Sequence, residues 1–164
     1  MDQPAILVLT TGGTIDKNYF DALSEYQIVD SGIPALLKEA RVALPFRVVE
    51  VCRKDSLELT DTDRADIARH AAEASETRIV ITHGTDTMTE TAKALAGVPG
   101  KTIVLTGALS PARFAETDAG FNLGMAFAAA QVAAPGVYLA MSGQVFDGLR
   151  VRKDRAAGRF VALN

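Results

Sequence analysis

Ala5-Ile6-Leu7-Val8-Leu9-Thr10-Thr11-Gly12-Gly13-Thr14 is an unbroken apolar run that ends in two hydroxyl residues and a glycine pair. A continuous aliphatic run, rather than an alternating one, reads as a strand buried on both faces, as in a parallel sheet. The same pattern recurs at Arg78–Thr82, before His83-Gly84-Thr85-Asp86-Thr87-Met88, and again at 101–106 and 137–141. Residues 47–52 are β-branched and alternate, which gives a further strand. Helical segments fall between these strands. Ser31 and Pro34 open one over about 32–42. Thr60 and Asp63 have the spacing of a capping box, and the helix they open runs to about Ser75 with Ile67, Ala68, Ala71 and Ala72 on one face. Residues 88–96 end at Gly97, and 119–134 stop at Pro135-Gly136. Such βαβα alternation implies an α/β fold: an open, mostly parallel sheet with helices on both faces, three layers in all, joined by right-handed crossovers. Residues 16–26 read as a polar loop, and 145–153 and 159–163 as β-prone fragments around Gly148 and Gly158.

At 164 residues the chain reads as one domain with a core of its own. Its net charge of −3, with acids and bases interspersed, excludes the basic footprint of a nucleic-acid binder and a polybasic membrane anchor. Cys52 is the only cysteine, so no internal disulfide forms, and its place at the end of an apolar run makes it a small core residue. No apolar run is long enough for a signal or transmembrane segment, and a cytoplasmic location is expected. His70 and His83 lack a third ligand at metal-binding spacing, and no phosphate loop, G-x-G-x-x-G or G-x-S-x-G motif is present. Neither a metal nor a cofactor is expected. His83 reads as a structural loop residue, His70 as a partly exposed helical one.

In open α/β sheets ligands collect outside the carboxyl ends of strands, so the segments that follow the strands are where chemistry belongs. Gly12-Gly13 permits a tight turn and brings backbone N–H groups close to a ligand, where they can steady an oxyanion. Thr14 is then a candidate nucleophile, needing a group to take its proton. Tyr19 is the candidate for that role, with Tyr26 as the alternative. Thr85 can hold or activate a water, Asp86 can pair with a substrate ammonium, and Lys153 supplies a base or a charge according to its environment. Ser56, in the Asp55-Ser56 loop, can donate to a carboxylate. A small zwitterionic amide satisfies all of these together. Taken singly, each residue has a plainer reading. Thr14 can cap the next segment, Thr85 or Asp86 can be a helix N-cap, Ser56 can cap a turn, the tyrosines can pack on the surface, and Lys153 can be a solvated charge.

Taken together, the segments resemble the bacterial-type L-asparaginase family of threonine amidohydrolases. Thr10-Thr11-Gly12-Gly13-Thr14-Ile15 matches that family's first signature, and Ile81-Thr82-His83-Gly84-Thr85-Asp86-Thr87-Met88 its second. Thr106-Gly107-Ala108, Ala119-Gly120-Phe121-Asn122-Leu123 and Asp147-Gly148-Leu149-Arg150-Val151-Arg152-Lys153 follow in the family's order. The resemblance implies Thr14 as nucleophile, Thr85 and Lys153 as a second catalytic set, Asp86 on the substrate amino group and Ser56 on its α-carboxylate. Gly13, Asp55 and Gly84 join the substrate-binding set. It also implies hydrolysis of L-asparagine to L-aspartate and ammonia through a threonyl acyl-enzyme, with weaker glutaminase activity open. The protein is expected to be a homo-oligomer, a dimer or tetramer, without nucleic-acid or membrane partners. Typical members continue into a smaller C-terminal domain, and a neighbouring subunit's copy of it closes the site. This chain stops soon after Lys153, so residues 1–164 are expected to be one N-terminal-type domain with no C-terminal domain and looser substrate binding. The alternative is a non-catalytic asparagine- or aspartate-binding domain, or an inactive fragment of a two-domain enzyme.

Overall fold

A computed structural model describes residues 5–20 and 25–164, and of Tyr19 the backbone alone. The chain runs through β1 (Ile6–Gly12), a hairpin of β2 (Lys17–Phe20) and β3 (Glu25–Ile28), α1 (Ile33–Glu39) and β4 (Phe46–Lys54). It continues through α2 (Asp61–Glu73), β5 (Arg78–Thr82), α3 (Met88–Leu95), β6 (Thr102–Thr106), α4 (Ala119–Val132), β7 (Gly136–Met141) and β8 (Gln144–Asp147). A ribbon of β9 (Val151–Asp154) and β10 (Arg159–Ala162) follows. The main sheet has the order β4-β1-β5-β6-β7-β8, parallel throughout except for β8, which turns back against β7.

Every residue of β1 is buried, and its alternating side chains fill two cores, as strand geometry requires. Leu7 and Leu9, with Ile79, Ile81, Ile103 and Leu105, pack under Ile67 of α2 and Met88 and Leu95 of α3. Ile6 and Val8, with Val80 and Val104, pack under Ile33 and Leu37 of α1 and Leu123 and Phe127 of α4. The expected three-layer α/β architecture is therefore present, with β1 between the edge strand β4 and β5.

Two local expectations are corrected. Within the expected loop, the described residues are paired strand: Lys17–Phe20 runs antiparallel to Glu25–Ile28, Tyr19 opposite Tyr26. The hairpin is tied at its base, where the Asp16 carboxylate accepts hydrogen bonds from Ser31 Oγ (2.8 Å) and the Gly32 N–H (3.3 Å). Helix α1 ends at Glu39 rather than near 42, because Arg41 adopts a left-handed conformation (φ 52°) that a right-handed helix cannot continue through. The N-cap is Gly32 rather than Ser31, whose Oγ accepts the Ile33 N–H at 3.2 Å from one residue further out.

The capping box on α2 forms as its spacing indicates. Thr60 Oγ1 accepts the Asp63 N–H (3.2 Å) while the Asp63 carboxylate accepts the Thr60 N–H (2.8 Å). Replacing Thr60 with Ala is expected to lower stability by about 1 kcal/mol. The measurement is a shift in urea midpoint at unchanged m-value.

From β1 the chain crosses to β4 at the sheet edge, then returns past β1 to β5 on its other side. The connections leaving β1 and β5 run in opposite directions, which opens a crevice at the carboxyl ends of these two strands. The Gly12-Gly13-Thr14 and His83-Gly84-Thr85 segments sit at that switch point.

Candidate active site

Three loops meet at the crevice closely enough that backbone touches backbone. Gly13 has φ 82°, and a Cβ placed there would lie 2.4 Å from Gly84 N. Gly84 in turn abuts Ser56, where an added Cβ would fall 2.7 Å from both Ser56 Cβ and Oγ. Glycine at these two positions is thus a condition for the loops after β1, β4 and β5 to close together. Replacing Gly13 with Ala combines left-handed strain with a backbone clash and is expected to cost roughly 2–4 kcal/mol. Urea denaturation of the variant checks this, and an unchanged midpoint would contradict the contact.

Thr14 opens a short 3-10 turn, Thr14–Asp16, whose cap position is held by Gly13, so Thr14 is not a capping residue. It lines a cleft of about 290 Å3 together with Lys17, Tyr26, Leu109, Ser110, Pro111 and Phe114. Tyr26 stacks in a tilted arrangement on Phe114, ring centroids 6.0 Å apart. Tyr26, the alternative candidate, lines the cleft with Thr14. The side chain of Tyr19 lies outside the described residues.

Lys153 reaches the crevice from β9. It sits opposite Phe160 in the ribbon and two residues from Val151, so the three share one face. Phe160 and Val151 are buried in the core beside α3, which turns that face inward and carries Lys153 with it. Lys153 Nζ donates to Thr85 Oγ1 at 2.7 Å and to Asp86 Oδ1 at 2.8 Å. Its side chain is only 18% exposed, so it is no solvated charge. Thr85 and Asp86 are not helix caps either, because the N-cap of α3 is Thr87. The Thr87 hydroxyl donates instead to Ser56 O at 2.7 Å, tying the Asp55-Ser56 loop to the Gly84-Thr85-Asp86 loop.

The remaining groups set the walls. Asp55 accepts the Leu57 N–H (3.1 Å) and an ion pair from Lys17 (3.0 Å). Burial pushes its carboxyl up, but these donors outweigh it and hold the group below the ordinary aspartate range. Ser56 is buried against Gly84. Asp16, two residues beyond Thr14, is pushed above its ordinary value by burial, although Ser31, Gly32 and Arg113 oppose the rise. His83 is fully enclosed, and burial lowers it to about 4. Among the described residues, no group of three or more His, Cys, Asp or Glu side chains is placed to hold a metal ion. The geometry therefore offers an accessible threonine, a second threonine whose hydroxyl is fixed by a lysine, and a carboxylate beside it. No side-chain hydrogen bond joins Thr14 to Thr85 or Lys153 among the described residues; the two sets are linked through the Gly13–Gly84 contact. Lys17 and the Leu109–Phe114 wall were not foreseen, since nothing in their local sequence marks them as neighbours of Thr14.

A family model described as asparaginase, N-terminal, matches residues 5–161. The chain belongs to the asparaginase family. An L-asparaginase from Thermococcus kodakarensis is 34% identical over 93% of this chain and 48% of its own length. The solved structure of the thermostable L-asparaginase from that organism superposes with a TM-score of 0.86 over 98% of this chain and 51% of the other. A glutaminase-asparaginase from Pseudomonas fluorescens is 30% identical, covering 90% of this chain and 45% of the relative. One component of the glutamyl-tRNA(Gln) amidotransferase from Methanococcus vannielii is also 30% identical, covering 94% and 39%. This asparaginase-family chain spans about half or less of the length of these curated relatives. Among the described residues no helix is long and apolar enough to cross a membrane.

Proposed function

We propose that the chain hydrolyses the side-chain amide of L-asparagine to L-aspartate and ammonia through an ester on Thr14. The observation that carries this reading is the Lys153–Thr85–Asp86 cluster, held at the same switch-point crevice as the Thr14 turn. Thr14 Oγ attacks the amide carbon, and backbone N–H groups at the Gly13 and Gly84 turns steady the oxyanion. The Thr14 proton passes by way of a tyrosine hydroxyl of the β2–β3 pair, Tyr19 or its alternative Tyr26, to the departing nitrogen, which leaves as ammonia as the C–N bond breaks. Thr85 Oγ1 accepts from Lys153 Nζ and so retains a second lone pair and its own proton to hold a water. That water attacks the ester carbon, the C–Oγ bond breaks, and a water proton returns to Thr14 Oγ. Asp86 engages the substrate α-amino group, and Ser56, with Asp55, Gly13 and Gly84 around it, takes the α-carboxylate.

The relatives named for glutaminase and amidotransferase activity favour glutamine as a competing amide. One methylene shifts recognition by only about 1–3 kcal/mol in a simple pocket, so the preference is graded. The same reading takes the protein to be a cytoplasmic homo-oligomer, a dimer or tetramer. The test is ammonia release from L-asparagine and, separately, L-glutamine by purified protein, with aspartate formed in equal amount. Calorimetric binding of asparagine without ammonia release would support a binding domain instead.

A further inference from the structure

His83 is buried, titratable and unused by the mechanism above. Its backbone N–H continues the sheet, donating to Thr106 O at 2.9 Å. Its ring is wedged between the loop and α3, with Nδ1 2.6 Å from Gly84 O and Nε2 2.7 Å from Thr91 Oγ1. Thr91 is itself fully buried. These partners dictate the proton positions. A carbonyl oxygen only accepts, so Nδ1 carries the hydrogen. In a neutral ring Nε2 then holds a lone pair, and the Thr91 hydroxyl must donate to it. Full burial and the nearby Arg64 guanidinium both disfavour a charged ring, and the Gly84 bond only partly offsets them.

We propose that His83 is a positioning residue: its neutral imidazole, oriented by Thr91, clamps the Gly84–Thr85 peptide in the one orientation the site uses. The inference rests on the reading of Thr85 given above. In a trans peptide the C=O and the following N–H lie in one plane and point in opposite directions. Holding the Gly84 carbonyl on the buried imidazole therefore turns the Thr85 N–H away from the core. The same clamp fixes the Gly84 backbone against which Gly13 closes. Gly107 adds a second constraint, since a Cβ there would lie 2.4 Å from His83 O.

Two measurements test this. The first is the 15N spectrum of His83 in the wild-type protein at neutral pH, which needs no activity. The Nδ1–H tautomer is expected, and it is expected to be disturbed in Thr91→Val. An Nε2–H tautomer, or a ring titrating at the ordinary histidine value, overturns the proposal. The second is turnover of L-asparagine by His83→Leu and His83→Asn. Leu removes the donor and is expected to lower kcat roughly 100-fold, the scale of losing one preorganised oxyanion donor, with KM little changed. Asn places an N–H near the Nδ1 position and is expected to restore most of the loss. Wild-type kcat in a folded His83→Leu protein overturns the proposal, as does equal loss in the folded Asn variant. If the Leu variant does not fold, the wild-type spectrum and the Asn variant decide. Absence of ammonia from the wild-type protein sinks the reading of Thr85 and the catalytic consequence drawn here, while the spectrum still decides the clamp.

Discussion

Thr14→Ala is expected to leave a folded protein that releases no measurable ammonia from L-asparagine. Thr14 is partly exposed, and its hydroxyl enters no side-chain hydrogen bond among the described residues. Removing it leaves no cavity and no orphaned partner, so stability is expected to change by about 0.5 kcal/mol or less. Turnover is another matter. If Thr14 Oγ forms the ester, no neighbouring group replaces it, and loss of a nucleophile costs at least roughly 10,000-fold in kcat. Parallel thermal melts and ammonia assays separate the two effects. A folded variant with wild-type turnover would remove Thr14 from the chemistry and leave Thr85 as the threonine to explain.

Lys153→Met carries the second large effect, and it differs in kind. Methionine keeps an apolar stem for the inward face shared with Val151 and Phe160. What disappears is the Nζ that donates to Thr85 Oγ1 and Asp86 Oδ1. Asp86 is 37% exposed on its side chain, so water replaces the lost partner and the stability cost is held to about 1 kcal/mol or less. The Thr85 hydroxyl, proposed to hold the attacking water, loses its orientation, and kcat is expected to fall roughly 100- to 10,000-fold. In the proposed mechanism, ester formation does not use this group. The variant is therefore expected to release one equivalent of ammonia per site in a burst and then stall. A uniform slowing without a burst would place Lys153 in the first step instead.

The features legible in the sequence are those where local pattern and tertiary role coincide. The solid apolar run of β1 can be nothing but a doubly covered strand, and its glycine pair marks where backbone must approach backbone. The Thr60–Asp63 box is a local hydrogen-bond arrangement, complete within four residues, and it forms as read. The hairpin of β2 and β3 was not legible. Its residues do not alternate, and it is tied through Asp16 to Ser31 and Gly32, fifteen and sixteen residues along the chain. The contact of Tyr26 with Phe114 depends on that pairing and crosses a sequence gap that no periodicity reports. Lys153 shows both sides. Its motif pointed to it, but its arrival at Thr85 depends on Val151 and Phe160 turning the ribbon's inner face toward the core. His83 read as a structural loop residue, and only its contacts with Gly84 and Thr91 reveal what it holds.

The most direct test of the central claim is to quench the protein in acid during turnover of L-asparagine, digest it, and locate any acyl group by mass spectrometry. An aspartyl ester is expected on the peptide containing Thr14, absent in Thr14→Ala and accumulating in Lys153→Met. Turnover with no ester on Thr14 in either active protein, or an ester found on Thr85, would contradict it.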